Sequence, residues 1–136
     1  MSVLFGEEHV KRYRETDGVE GHSWLKGSTG LLLTTTGRNS GQPTTTPLIY
    51  TLDGDNPVIV ASKGGAPEHP GWFRNLSKTP EVEVQIKGDR FAARARTAEG
   101  EERDRLWRQM SEMWPDYDEY QTKTDREIPV VVLERL

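Results

Sequence analysis

After residue 30 the chain is cut every few residues by turn chemistry, and this punctuation limits its possible folds more than any other feature. Leu31 through Thr36 is an aliphatic and β-branched run between Gly30 and Gly37, which reads as a buried strand. Further strands are expected over residues 44–52, 58–62, 81–86, 91–97 and 128–133. In residues 81–86, Val82, Val84 and Ile86 alternate with Glu81, Glu83 and Gln85, the period of a strand with one wet face. Asp53-Gly54 marks a tight hairpin. Residues 37–43, 63–67 and 87–90, rich in Gly, Pro, Asn and Asp, break the other runs. Hairpins dominate and no regular βαβ unit appears. The fold class is therefore α+β and mainly β: six antiparallel strands curled into a small barrel, with helices outside.

Three helices are expected around that sheet. Residues 99–114 carry Leu106, Trp107, Met110, Met113 and Trp114 at helical spacing. Glu99, Glu101 and Glu102 suit the positive end of this helix. Glu101 with Arg105, and Asp104 with Arg108, are spaced to pair along it, and Pro115 ends it. Residues 70–76 read as a short helix with Pro70 in its first turn and Trp72, Phe73 and Leu76 together. Residues 7–15 form another, with Val10 and Tyr13 on one side. The chain then divides into an N-terminal helix-and-loop extension, residues 1–29, and a barrel domain, residues 30–136.

Composition removes several kinds of chemistry. With no Cys, disulfides, thiolate zinc sites, iron–sulfur clusters and Cys nucleophiles are excluded. His9, His22 and His69 lack metal-ligand spacing, so no metal is expected. There is no phosphate-binding Walker loop, no Gly-x-Gly-x-x-Gly turn and no Gly-x-Ser-x-Gly elbow. A net charge of −4 argues against a nucleic-acid partner. No apolar run approaches the roughly 18 residues of a membrane helix, and the first ten residues lack a signal peptide's pattern. A cytoplasmic protein is expected, in contact at most with the inner face of a membrane and not inserted.

Two glycine turns end strands. In Gly37-Arg38-Asn39-Ser40-Gly41, backbone N–H groups, the Arg38 fork and the Ser40 hydroxyl suit an anion. The same residues also suit an ordinary solvated turn. In Ser62-Lys63-Gly64-Gly65, the glycines let the backbone approach a flat ligand and Lys63 suits a phosphate; a plain flexible loop fits as well. Trp72 reads as core, and Asn75 as a cap or a partner for a heterocycle edge. Trp114, Tyr117 and Tyr120 either line a substrate pocket or pack a helix end.

The order of these pieces carries a resemblance. Leu32-Leu33-Thr34-Thr35-Thr36-Gly37-Arg38, Ser40-Gly41-Gln42-Pro43, Pro47-Leu48, Ser62 through Ala66, Pro70-x-Trp72-x-x-Asn75-Leu76 and Val82-x-Val84-Gln85-Ile86 follow one another. Tyr117, Tyr120-Gln121, Thr124-Asp125-Arg126 and Ile128-Pro129-Val130 complete the set. Over roughly residues 30–135 the chain resembles the F420-dependent nitroreductase family of mycobacteria and related actinobacteria. The resemblance implies an FMN-binding-like split β-barrel. It implies a reductase that passes a hydride from reduced coenzyme F420, a deazaflavin, to a quinone, enone, coumarin or nitro compound. By the same resemblance Arg38, Asn39, Ser40, Gly41 and Thr44 would meet the phosphate and acidic tail. Ala61, Ser62, Lys63, Gly64 and Gly65 would line the deazaflavin, Trp72 and Asn75 would orient its ring, and Trp114, Tyr117 and Tyr120 would shape the substrate pocket. Tyr120 or water would supply a proton. The best-known members have Lys at Asn39 and Arg at Thr44, so the tail is expected either to be held more weakly or to turn to Lys11, Arg12 or Arg14 instead. FMN as the cofactor, a non-catalytic F420 carrier and a homodimer stay open.

Overall fold

The computed structural model describes residues 4–136; residues 1–3, the start of the expected extension, lie outside the described residues. The fold is α+β. Among the described residues its sheet has seven strands: β1 (Gly30–Thr36), β2 (Pro43–Ile49), β3 (Thr51–Asp53), β4 (Asn56–Val60), β5 (Glu81–Ile86), β6 (Asp89–Thr97) and β7 (Val130–Arg135). They lie in the order β2-β1-β5-β6-β7-β4-β3, and each neighbouring pair is antiparallel.

The count corrects the expected six. The single run expected over residues 44–52 is broken at Tyr50 into β2 and β3. These two pair with β1 and β4 respectively, at opposite ends of the strand order. One residue thus carries the chain from one sheet edge to the other, which requires the sheet to roll until its edges approach; β2 does come into contact with β4. Tyr50 is buried at this crossing. Its N–H donates to the Thr29 carbonyl at 3.1 Å, and its hydroxyl lies 2.8 Å from Nε2 of His22. No turn residue marks the break, because curvature of the whole sheet causes it rather than local chemistry.

Alternation along the strands separates two cores. Leu31, Leu33, Ile59, Val84, Val131 and Leu133 point into the rolled sheet. Val58, Val60, Val130 and Val132 face outward under α3 (Gly100–Met113) and α4 (Asp116–Thr122), meeting Leu106, Met110 and Tyr117. The unbroken apolar run near the C-terminal end follows, since both faces of β7 are covered. The Asp53-Gly54 hairpin forms as expected, with Asp53 paired to Asn56 and Gly54 left-handed at φ 63°.

α1 (Gly6–Thr16) and α2 (Gly71–Lys78) complete the set. α1 buries His9 and Tyr13 rather than Val10 and Tyr13. The imidazole is accepted because its Nε2 lies 2.9 Å from the Gly21 carbonyl and the ring stands edge-on to Trp24. Tyr13 donates to the Gly30 carbonyl at 3.0 Å and accepts the Lys87 N–H at 2.7 Å. Pro70 caps α2 instead of sitting in its first turn. The expected Glu101–Arg105 pair does not form; Arg105 makes a two-pronged contact with Asp53 at 3.0 and 3.1 Å, a better fit for a guanidinium fork. Arg108 donates to the Asp104 carbonyl, not to its carboxylate. The seven-residue α4 was not expected: it is too short for a helical period, although Asp116, Asp118 and Glu119 suit its first turn.

Candidate functional site

Two cavities adjoin at one side of the rolled sheet, and Trp72 of α2 lines both. The first, about 320 Å³, is largely aromatic and apolar. It is lined by Trp24 of the N-terminal segment, by Trp114, Tyr117 and Tyr120, by Pro47 to Ile49 at the end of β2, and by Ser62, Lys63 and Gly64 after β4. The second, about 430 Å³, is more polar and is bounded by the 37–40 turn, Thr44 and Thr46 of β2, and Gly71 and Asn75 of α2.

The structure brings together most of the residues singled out from the sequence. Ser62, Lys63, Gly64, Trp72, Trp114, Tyr117 and Tyr120 line the first cavity; Arg38, Asn39, Ser40, Thr44, Trp72 and Asn75 line the second. Gly41, Ala61 and Gly65 line neither. Ala61 is fully buried in the inner core. Gly65 packs on α4 so closely that a Cβ would lie 2.7 Å from the Tyr120 carbonyl oxygen. Gly41 turns the chain at φ +72° with open space around it. Trp24, Pro47, Leu48 and Thr46 were missed. Alternation in a confirmed strand would have found Thr46 beside Thr44, but nothing local points Trp24 toward a pocket 20 or more residues further on.

Asn75 organises the polar cavity. It is 5% exposed, and its Oδ1 accepts from the Arg38 backbone N–H at 3.1 Å and from Nη1 at 2.9 Å. Its Nδ2 donates to Oγ1 of Thr35 on β1 at 3.1 Å. Arg38 is thereby held before any ligand arrives. Lys78 of α2 donates to the Arg38 carbonyl at 2.8 Å, adding positive charge beside the same turn. The expected contribution of Lys11, Arg12 and Arg14 is not seen. Arg14 donates to Thr45, whose side chain alternates away from Thr44 and Thr46 and so lies on the other face of β2. Arg12 and Lys11 pair with Glu20 and Glu15.

The Lys63–Gly65 turn is strained. Lys63, Gly64 and Gly65 have consecutive φ values of 46°, 64° and 87°, and a non-glycine residue there costs about 1–2 kcal/mol. Such strain persists where surrounding structure enforces it, often at functional sites. A Cβ on Gly64 would meet nothing within 4 Å, so this face of the turn is open to a flat group. The Lys63 ammonium pairs with Glu68 at 2.8 Å on the exposed surface, where a pair is weak and easily exchanged.

On the aromatic wall, Nε1 of Trp114 donates to the Tyr120 hydroxyl at 3.4 Å, leaving the Tyr120 O–H directed elsewhere. Burial pushes the Tyr117 phenol well above its ordinary range, so it stays neutral. Lys26 lies 4.9 Å over the Trp114 ring centroid and pairs with Asp116 at 2.9 Å. Among the described residues, no three His, Asp or Glu are grouped to hold a metal ion, and no helix is long and apolar enough to cross a membrane.

Comparison with known proteins shows the family. The profile of the family described as F420H(2)-dependent quinone reductase matches residues 5–135. An F420H(2)-dependent quinone reductase of Mycobacterium tuberculosis is 45% identical over 130 residues, spanning 93% of this chain and 87% of that protein. A solved F420-H2 dependent reductase (FDR-A) superposes with a TM-score of 0.72 at 44% identity, over 77% of this chain and 93% of that one. Another structure, described as a domain-swapped dimer, superposes with a TM-score of 0.75 at 42% identity, over 93% of this chain and 95% of that one. The chain belongs to the F420H(2)-dependent quinone reductase family.

Proposed function

We propose that this protein is an F420H2-dependent reductase of quinones and related conjugated electrophiles. The observation that carries the reading is the pair of adjoining cavities sharing Trp72, one aromatic and one built around the pre-held Arg38. A deazaflavin has the same two parts: a flat ring system and a phosphate-bearing tail. The residues fit the group. Gly64 leaves open space where a ring would lie, Trp72 offers a face at the junction, and Arg38 with Ser40 supplies donors of the kind that hold phosphate. The finer fold reading goes with it, an FMN-binding-like split barrel whose residues 30–136 form most of the site, with Trp24 of the 1–29 extension closing one wall.

When bound, reduced F420 supplies a hydride to an electrophilic carbon of the acceptor. The protein's own part is placement and electrostatics. Ser62, Lys63 and Gly64 hold the ring side; Arg38, Asn39, Ser40 and Thr44 meet the phosphate and the first part of the acidic tail, with Lys78 standing in for the charges that Asn39 and Thr44 lack. Trp24, Trp114 and Tyr117 exclude water and stack a planar acceptor. The Tyr120 hydroxyl, its oxygen accepting from Trp114, keeps its O–H to give a hydrogen bond or a proton to the acceptor oxygen, a part that water would otherwise play. Neither a bound metal nor a nucleic acid enters this reading. It carries a cytoplasmic location, and the domain-swapped relative supports assembly as a homodimer, which sedimentation would test.

The deciding experiment is titration with oxidised F420 and, separately, FMN, followed by oxidation of reduced F420 with menadione and with a simple enone. Micromolar F420 binding with acceptor-dependent oxidation is expected. Binding without turnover would leave a carrier, and preference for FMN would overturn the cofactor assignment.

A further inference from the structure

Arg126 lies in the loop between α4 and β7 and reaches back across the molecule to the segment after β4. Its Nε donates to the Ala66 carbonyl at 2.9 Å, Nη2 to the Ser62 carbonyl at 2.9 Å, and Nη1 to the Ala61 carbonyl at 3.2 Å. Nη1 also lies 3.1 Å from Nδ1 of His69. These four acceptors flank the left-handed Lys63–Gly65 turn on both sides, and a guanidinium offers its donors in a rigid plane that can hold them together. The turn's strain makes such fastening necessary. Arg126 is itself tied to α4. Nε2 of Gln121 donates to the Arg126 carbonyl at 2.8 Å, and Oε1 of Gln121 accepts the Ile128 N–H at 2.9 Å. One residue therefore joins the turn bearing Lys63 and Gly64 to the helix bearing Tyr117 and Tyr120.

We propose that Arg126 is a positioning residue that locks the 61–66 turn against α4, and that His69 makes the lock sensitive to protonation. Arginine has no acceptor, so Nδ1 of His69 must present its lone pair to Nη1, and the imidazole must be neutral. A proton on Nδ1 would set two N–H groups against each other and two cations 3.1 Å apart. The surroundings resist that proton. Arg126 faces the ring from the α4–β7 loop and Arg74 from α2, and burial with these two charges holds His69 below the usual histidine range. Phe73 packs on the ring at 4.7 Å, and the neighbouring Glu68 is engaged by Lys63. In acid the proton enters, Arg126 loses an anchor, and the turn loosens. That this weakens cofactor binding rests on the F420 reading above; that it loosens the turn does not.

The test uses the whole chain with two readouts: the dissociation constant for F420 from about pH 5 to 8, spanning the ordinary histidine range, and hydrogen exchange of the 62–66 amides in the cofactor-free protein. Arg126→Ala is expected to weaken F420 binding roughly tenfold or more and to speed exchange in 62–66, with partial rescue of both by added guanidinium, the group removed. Should that variant fail to fold, Arg126→Lys, which reaches fewer of the four acceptors, reads the same quantities. The wild type is expected to lose affinity and turn protection as pH falls. His69→Gln, whose Oε1 accepts without titrating, is expected to hold both constant. Unchanged exchange and affinity in the Arg126 variants would overturn the positioning role. A His69→Gln profile that follows the wild type would overturn the proton sensitivity. Failure of the wild type to bind F420 at all would instead overturn the cofactor reading, with the exchange comparison still deciding the lock.

Discussion

Replacing Asn75 separates its structural role from its electrostatic one. Asn75→Ala removes three hydrogen bonds, two from Arg38 and one to the buried Thr35 hydroxyl. A net contribution of about 0.5–1.5 kcal/mol for each, with the Arg38 side-chain bond partly screened by solvent, gives a loss of roughly 2–4 kcal/mol. For a domain of this size that lowers Tm by about 10 °C. Arg38, no longer held, must be ordered when the ligand binds, and F420 affinity is expected to fall about tenfold, close to 1.4 kcal/mol. Asn75→Asp makes a different change. Its carboxylate still accepts from both Arg38 donors, and the Thr35 hydroxyl can turn to donate, so stability is expected to stay within about 1 kcal/mol of the wild type. Its negative charge, however, competes for Arg38, and F420 affinity is expected to drop about tenfold or more. Thermal unfolding and F420 titration on both variants supply the numbers. Wild-type affinity in Asn75→Asp, or an Asn75→Ala variant that loses stability without losing affinity, would refute the assignment of Arg38 to the phosphate.

Other substitutions probe the remaining parts. Gly64→Ala, at φ +64° with nothing near its Cβ, should cost only about 1 kcal/mol of stability yet weaken F420 binding, because the methyl projects where the ring would lie. Gly65→Ala, whose Cβ would meet the Tyr120 carbonyl oxygen at 2.7 Å, should destabilise by roughly 2–3 kcal/mol and raise the KM for menadione as α4 shifts. Tyr120→Phe should lower kcat about 10- to 100-fold with little change in F420 affinity if its hydroxyl donates the proton; a change under about twofold in steady-state rate assigns that step to water. Burial pushes Tyr13 up to about 12, so the folded state holds its phenolic proton more firmly than the unfolded chain. Its stabilisation is complete below the unfolded value near pH 10 and is lost as pH rises through about 12. Urea unfolding at pH 9 and 11 should show the decline, and Tyr13→Phe should make it shallower, with Tyr50 and Tyr117, also raised by burial, supplying the rest.

Much of this fold is written locally. β5 was legible because Val82, Val84 and Ile86 alternate, α3 because its apolar positions recur at helical spacing, and the β3–β4 hairpin because Asp53-Gly54 permits only a tight turn. The two glycine turns could be recognised one at a time, each with a commonplace reading beside the functional one. That both could serve one ligand was expected from their places at strand ends and from the resemblance; the structure adds that Trp72 lines the cavities beside both. Arg126 entered the sequence reading only within the Thr124-Asp125-Arg126 piece of the resemblance, since its acceptors lie some 60 positions earlier and three of the four are backbone carbonyls, which no residue type announces.

By itself, then, the sequence determined the mainly β character, the helices long enough to show a period, the exclusion of cysteine chemistry and the order of motifs that marks the family. All of these depend on chemistry within a few residues. Only the tertiary structure decided that Tyr50 splits one strand into two opposite edges, that Arg14 lies on the far face of β2 from Arg38, and that Trp24 closes the aromatic cavity. Each follows from how far the sheet rolls, and rolling is settled by packing between residues distant in the chain, at a balance no local pattern records.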